Sequence, residues 1–202
     1  MLDWITGFID RTGVLGVALL MFAENVFPPI PSEMVMPLAG AVAARGGMSP
    51  WLAALAGTLG SLAGAFAWYA LARRVGDDRL RRWAAHHGRW LTLSPQDVDR
   101  SDRWFDRHGT KAVFLGRLVP AVRTLISVPA GLHEMPVGPF LLMSALGSAL
   151  WTGLLTFAGV KLGERWELVH GWLEPVSNVV VGALVLTYAW RVLTWRRRHP
   201  AD

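Results

Sequence analysis

Residues 22–40 read FAENVFPPIPSEMVMPLAG, and the reading of this stretch decides how the chain is built. It lies at the centre of an apolar region spanning residues 13–46. Glu24, Asn25, Pro28, Pro29, Pro31, Ser32 and Glu33 break that region into two apolar arms. Proline clusters end helices and remove backbone donors. Each arm is roughly half a membrane thickness long at about 1.5 Å per residue. Non-helical backbone at membrane depth survives only where protein or a water-filled cavity surrounds it. The region is therefore expected to turn back on itself as a re-entrant helical hairpin.

A second stretch follows the same logic. Residues 114–131 read FLGRLVPAVRTLISVPAG, within an apolar region spanning 111–136, and Arg117, Pro120, Arg123 and Pro129 interrupt it. Both stretches carry a charge, a proline break and a second charge, then close on a Pro-(Leu)-Ala-Gly ending at Gly40 or Gly131. Two such units of opposite orientation make an inverted repeat, a transporter architecture with its site near the midplane.

Around the hairpins lie three uninterrupted apolar spans, at residues 50–73, 138–160 and 176–195. About 20 apolar residues are needed to cross a hydrocarbon core about 30 Å thick. Ser49 and Pro50 suit the start of the first span, and Arg73 and Arg74 close it. Gly57, Gly60 and Gly64 form a stripe that lets another helix approach closely, and Gly147 and Gly153 lie inside the second span. Residues 74–109 are rich in Arg and Asp. There Ser94-Pro95-Gln96-Asp97 reads as the start of a short amphipathic helix with Val98, Trp104 and Phe105 as apolar contacts. Arginine crowds residues 73–111 and the tail 196–202, whereas loop 161–175 holds only Lys161 and Arg165 against three Glu. The positive-inside rule puts the first two in the cytoplasm and the loop outside. The fold class is an all-α polytopic membrane protein in one membrane domain, residues 1–202.

Composition agrees. Of 202 residues, 52% are hydrophobic and 17% charged, against about 25% charged in an average soluble domain. The absence of Cys excludes disulfides and thiolate chemistry. Asp3 and Asp10 argue against a cleavable signal. The net charge of +5 sits beside the apolar spans, facing anionic headgroups, so no nucleic-acid partner is expected. His86, His87 and His108 lack ligand spacing. No metal or other cofactor is expected.

The chemistry rests on charges that an apolar segment would otherwise exclude, at about 2.5–3.5 kcal/mol each on insertion scales. Glu24, Glu33, Arg117 and Arg123 must be paired or hydrated, and carboxylate can meet guanidinium across facing hairpins. Arg117 and Arg123 present planar forks of donors that suit a phosphate, with Asn25 as a further hydrogen-bonding group. Glu24 and Glu33 are candidates for proton coupling, and for expelling the phosphate by competing for the arginines. The plainer alternative is a set of structural bridges with no cargo. His133 and Glu134 read as interfacial.

These residues resemble the DedA membrane proteins with their VTT domain, through residues 22–40 and 114–131. The resemblance covers about residues 10–160. It implies a bacterial inner-membrane protein with facing re-entrant hairpins that transports undecaprenyl phosphate or phospholipids. It places the family's acidic positions on Glu24 and Glu33, and its arginines on Arg117 and Arg123. Many members have Gly-Asp where this chain has Ser32-Glu33, which adds a methylene and keeps the charge.

The leading expectation is a flippase for an anionic lipid, most of all undecaprenyl phosphate, and not an enzyme. A phospholipid flippase or scramblase is its near alternative. A proton-coupled small-solute antiporter is another class. A lipid phosphatase is a third, and it would need a His or Asp nucleophile that neither hairpin has. The glycine stripes permit a homodimer as well as internal packing.

Overall fold

The computed structural model describes residues 2–27, 32–76, 95–119, 122–163 and 190. Every regular element among them is a helix: α1 (Leu2–Val26), α2 (Ser32–Ala44), α3 (Pro50–Val75), α4 (Pro95–Arg117), α5 (Ser127–Leu132) and α6 (Val137–Leu162). The prolines expected at the hairpin breaks, Pro28, Pro29, Pro31 and Pro120, lie outside the described residues. So do most of loop 161–175, the tail and all but Trp190 of the span 176–195.

Among the described residues, three helices are long and apolar enough to cross a membrane: Trp4–Val26, Pro50–Val75 and Val137–Leu162. The last two match the spans read from sequence, and Pro50 opens α3 as expected. Ser49 stands at its N-cap without a side-chain hydrogen bond. The first helix is longer than the hairpin arm expected from residue 13, because α1 begins at Leu2 and continues through a kink at Gly13. Gly13 has φ 59° and ψ −136°, a conformation open to glycine and closed to residues with a Cβ. The same break recurs in α4, where Gly109 has φ 52° and ψ −135°. There it separates the amphipathic helix from the apolar arm that ends at Arg117, so the two lie on either side of a non-helical glycine. The part of α1 after Gly13 and the whole of α2 are each about 20 Å long at 1.5 Å per residue. α5 is much shorter, with only six residues.

The helices exchange partners. α1 lies on α3 and α4 on α6, while α2 lies on α6 and α5 on α3; α3 and α6 pack on each other between them. α6 shows why the molecule suits lipid. Leu142, Leu146, Leu150 and Leu154 point outward, and Ser144, Ser148, Thr152 and Thr156 point inward at the same spacing of four. Its surface is thus more apolar than its buried face, the reverse of a water-soluble helix. Two apolar clusters flank this polar seam. One joins α1, α2 and α3 around Met21, Val35 and Met36. The other joins α3, α4, α5 and α6 around Tyr69, Phe105 and Phe140. Phe105 is therefore the apolar contact that the amphipathic pattern foretold.

Candidate functional site

Four of the residues singled out from sequence meet at the centre of the helices. α1 ends at Val26, ahead of Pro28, and so leaves Glu24 and Asn25 on its last turn. α4 ends at Arg117, ahead of Pro120. A run of turns then carries Arg123, whose backbone N–H donates to the Val119 carbonyl at 2.9 Å. All four are buried: Arg117 and Asn25 are 2% exposed, Glu24 4% and Arg123 6%.

Arg123 forms an ion pair and hydrogen bond to Oε1 of Glu24. Arg117 is held on one side of the pair. Its Nη1 donates to the Arg123 carbonyl, and its Nη2 donates to Ser127 Oγ at 2.7 Å and Ser144 Oγ at 3.4 Å. The guanidinium fork explains this set, because one planar group reaches three acceptors on two helices and a turn. Glu33 stands half-buried in the first turn of α2, outside the ion pair. Its charge acts on Glu24, as do those of Arg123 and Arg117. With Glu24 ionised, the two guanidinium groups leave the buried cluster one positive charge in excess. A low-dielectric wall sharpens the attraction of such a cluster for an anion.

A small cavity opens beside these groups. Asn25, Ser61, Arg117, Arg123, Ser148, Trp151 and Thr152 line it, and it has room for about one water. Three buried polar atoms of its lining residues have no hydrogen-bond partner among the described residues, Asn25 Oδ1, Ser61 Oγ and Arg117 Nε, and neither does Oε2 of Glu24, the partner of Arg123. Unsatisfied polar atoms are rare in protein interiors, and several gathered at one cavity mark a place where a polar ligand or solvent completes the bonding.

Two glycines set the geometry. A Cβ on Gly64 would lie 2.5 Å from the Asn25 Cβ and 3.0 Å from the Phe22 carbonyl. A Cβ on Gly147 would lie 2.6 Å from the Arg117 Cβ and 3.1 Å from the Phe114 carbonyl. Each glycine thus admits the end of a broken helix against a long span, once on α3 and once on α6. Trp68 adds a tether by donating from Nε1 to the Asn25 carbonyl at 3.0 Å.

Pro129 and Gly131 lie within α5 and its packing against α3, away from the cavity lining. His133 stacks on Phe105, with ring centroids 5.2 Å apart. Among the described residues no group of His, Cys, Asp and Glu is suited to hold a metal. The sequence reading missed the hydroxyls: Ser61, Ser127, Ser144, Ser148 and Thr152. The signal was present in α6, where hydroxyl residues recur every fourth position within an otherwise apolar span.

The fold and site define a multi-pass helical membrane protein with a charged, ion-paired centre. The chain belongs to the DedA family: the VTT domain matches residues 30–161. It is 32% identical over 197 residues to a Staphylococcus aureus protein named undecaprenyl phosphate transporter A, covering 96% of this chain and 97% of that one. A Bacillus subtilis protein of the same name is 30% identical over 192 residues, covering 93% and 91%. A Lactococcus lactis protein named alkaline phosphatase-like protein is 34% identical over 200 residues, covering 98% and 94%. No solved structure matches the chain.

Proposed function

We propose that this protein is a flippase for an anionic lipid, with a polyprenyl phosphate such as undecaprenyl phosphate as cargo. The observation that carries this reading is the buried Arg117–Arg123 cluster, one member of which is held by a carboxylate from a different broken helix, beside a cavity with unpaired polar atoms. Guanidinium groups bind phosphate through paired charge-assisted hydrogen bonds. The cavity holds about one water, so a phosphate enters by displacing Glu24 from Arg123 and widening the space between them. Glu24 then takes a proton or turns toward water, and its return to Arg123 expels the cargo on the other side. Glu33, whose charge acts on Glu24, is the second proton-coupling group. The names of the two transporter relatives support the lipid phosphate.

The same reading takes residues 13–46 and 111–136 as facing re-entrant hairpins of an inverted repeat. The like kinks at Gly13 and Gly109 support it. So does the exchange of partners, in which each hairpin's second arm lies on the other unit's span. The arginine-rich segments face the cytoplasm, with the C-terminus, in a bacterial inner membrane. The reading takes the protein as a carrier and not an enzyme, which the names of the two transporter relatives support.

The test is transbilayer movement in proteoliposomes with three cargoes: a labelled polyprenyl phosphate, a labelled glycerophospholipid and a small cationic solute under a proton gradient. Movement of the polyprenyl phosphate without its hydrolysis supports the reading. Movement of the glycerophospholipid alone replaces it with a phospholipid flippase or scramblase, and movement of the solute alone with an antiporter.

A further inference from the structure

The arginines account for binding a phosphate but not for telling one kind from another. A lipid phosphate monoester has three terminal oxygens, and near neutral pH it carries between one and two charges, with a second pKa of about 6. A phosphodiester headgroup offers two terminal oxygens and one fixed charge. Besides the arginines, the cavity is lined by α3 and α6 through Ser61, Ser148 and Thr152. Thr152 is committed already: its hydroxyl donates to the Ser148 carbonyl at 2.8 Å and lies 2.9 Å from the Thr58 hydroxyl. Ser61 is different. It is 3% exposed, it lines the cavity, and its hydroxyl has no partner among the described residues.

We propose that Ser61 is the selectivity residue of the lipid site, donating to the third terminal oxygen of a phosphate monoester. The inference rests on the lipid-phosphate reading above and adds the class of phosphate. Arg117 and Arg123 hold two oxygens from the α4–α5 side, and Ser61 meets the third from α3. The unpaired Asn25 Oδ1 offers an acceptor to a protonated phosphate oxygen, which a monoester has and a diester lacks. A diester turns its second ester link toward Ser61 and leaves the hydroxyl unsatisfied. A buried donor that loses its partner in this way penalises the wrong ligand more than a lost contact would.

A purely structural Ser61 makes the opposite forecast. An unpartnered buried hydroxyl contributes nothing to folding, so Ser61→Ala would be neutral or stabilising and would leave transport alone. The experiment measures transbilayer rates of labelled polyprenyl phosphate and labelled phosphatidylglycerol in proteoliposomes of wild type, Ser61→Ala and Ser61→Thr, with a melting curve for each. The expected result is a monoester preference in wild type that falls roughly tenfold in Ser61→Ala, the scale of one hydrogen bond to a charged group. Ser61→Thr keeps the preference, and the alanine variant melts no lower than wild type. An unchanged monoester-to-diester ratio in Ser61→Ala overturns the inference while the carrier reading stands. Failure of wild type to move either lipid overturns both.

Discussion

Arg123 sits in the turns after α4, and Glu24 on the last turn of α1, yet the guanidinium of one is ion-paired with the carboxylate of the other. The pair joins two helix ends that lie far apart in the chain, and both partners are almost wholly buried. A buried ion pair of this kind adds little net stability over a well-packed apolar pair, but breaking it from one side is costly. In the proposed function its value lies in being exchangeable, since a phosphate offers Arg123 what Glu24 does.

Removing Arg123 separates the structural part from the functional part. Arg123→Ala leaves Glu24 buried without its ion-pair partner and should destabilise the fold by about 3–5 kcal/mol. Glu24→Gln with Arg123→Ala removes both charges and should recover most of that loss in a melting experiment. Transport should stay absent in both variants, because the binding group is gone.

Arg117 depends on fork geometry rather than on charge alone. Its Nη1 and Nη2 reach the Arg123 carbonyl, Ser127 and Ser144 together. Arg117→Lys keeps the charge but supplies a single compact ammonium, which cannot span that set. Transport should fall about a hundredfold, the scale of two lost charge-assisted hydrogen bonds. A lysine variant with wild-type flux would show that charge suffices.

The close glycine at α6 makes a steric forecast with its own control. Gly147→Ala places a methyl against the Arg117 Cβ and should cost about 1–3 kcal/mol as overpacking, with loss of transport. Gly153 lies on the same helix with nothing within 4 Å of a built Cβ. Gly153→Ala should match wild type in both melting and flux.

Glu24→Gln tests the coupling. The amide oxygen can still accept from Arg123, but the side chain can no longer take up and release a proton. Flux in this variant should be the same with and without an imposed proton gradient, while wild type responds to the gradient. A gradient response equal to wild type would move the coupling to Glu33 or elsewhere.

Much of this was legible in the sequence because the bilayer makes charge conspicuous. Glu24, Arg117 and Arg123 stood out as ionisable groups in apolar arms, and the requirement that buried charges pair made an ion pair between the two regions the natural expectation. The proline breaks marked where α1 and α4 end. What stayed hidden had physical reasons. Hydroxyl residues are tolerated anywhere in a membrane helix because they can bond back to their own carbonyls, as Thr156 does to Thr152 at 2.7 Å, so Ser61 and Ser148 carried no alarm. The helical segment ahead of the kink at Gly13 was also invisible, since a glycine reads equally as a helix end or a kink. The choice of Glu24 as partner for Arg123, and of serines for Arg117, depends on which helix ends meet. That is set by the long-range approach at Gly64 and Gly147, which no local pattern records.

The most direct test of the central claim is the transbilayer movement of labelled polyprenyl phosphate in proteoliposomes, wild type beside Arg123→Ala. The account predicts movement by wild type and none above protein-free vesicles by the variant, with both proteins folded and inserted. Equal movement by the two proteins, or none by wild type, would contradict it.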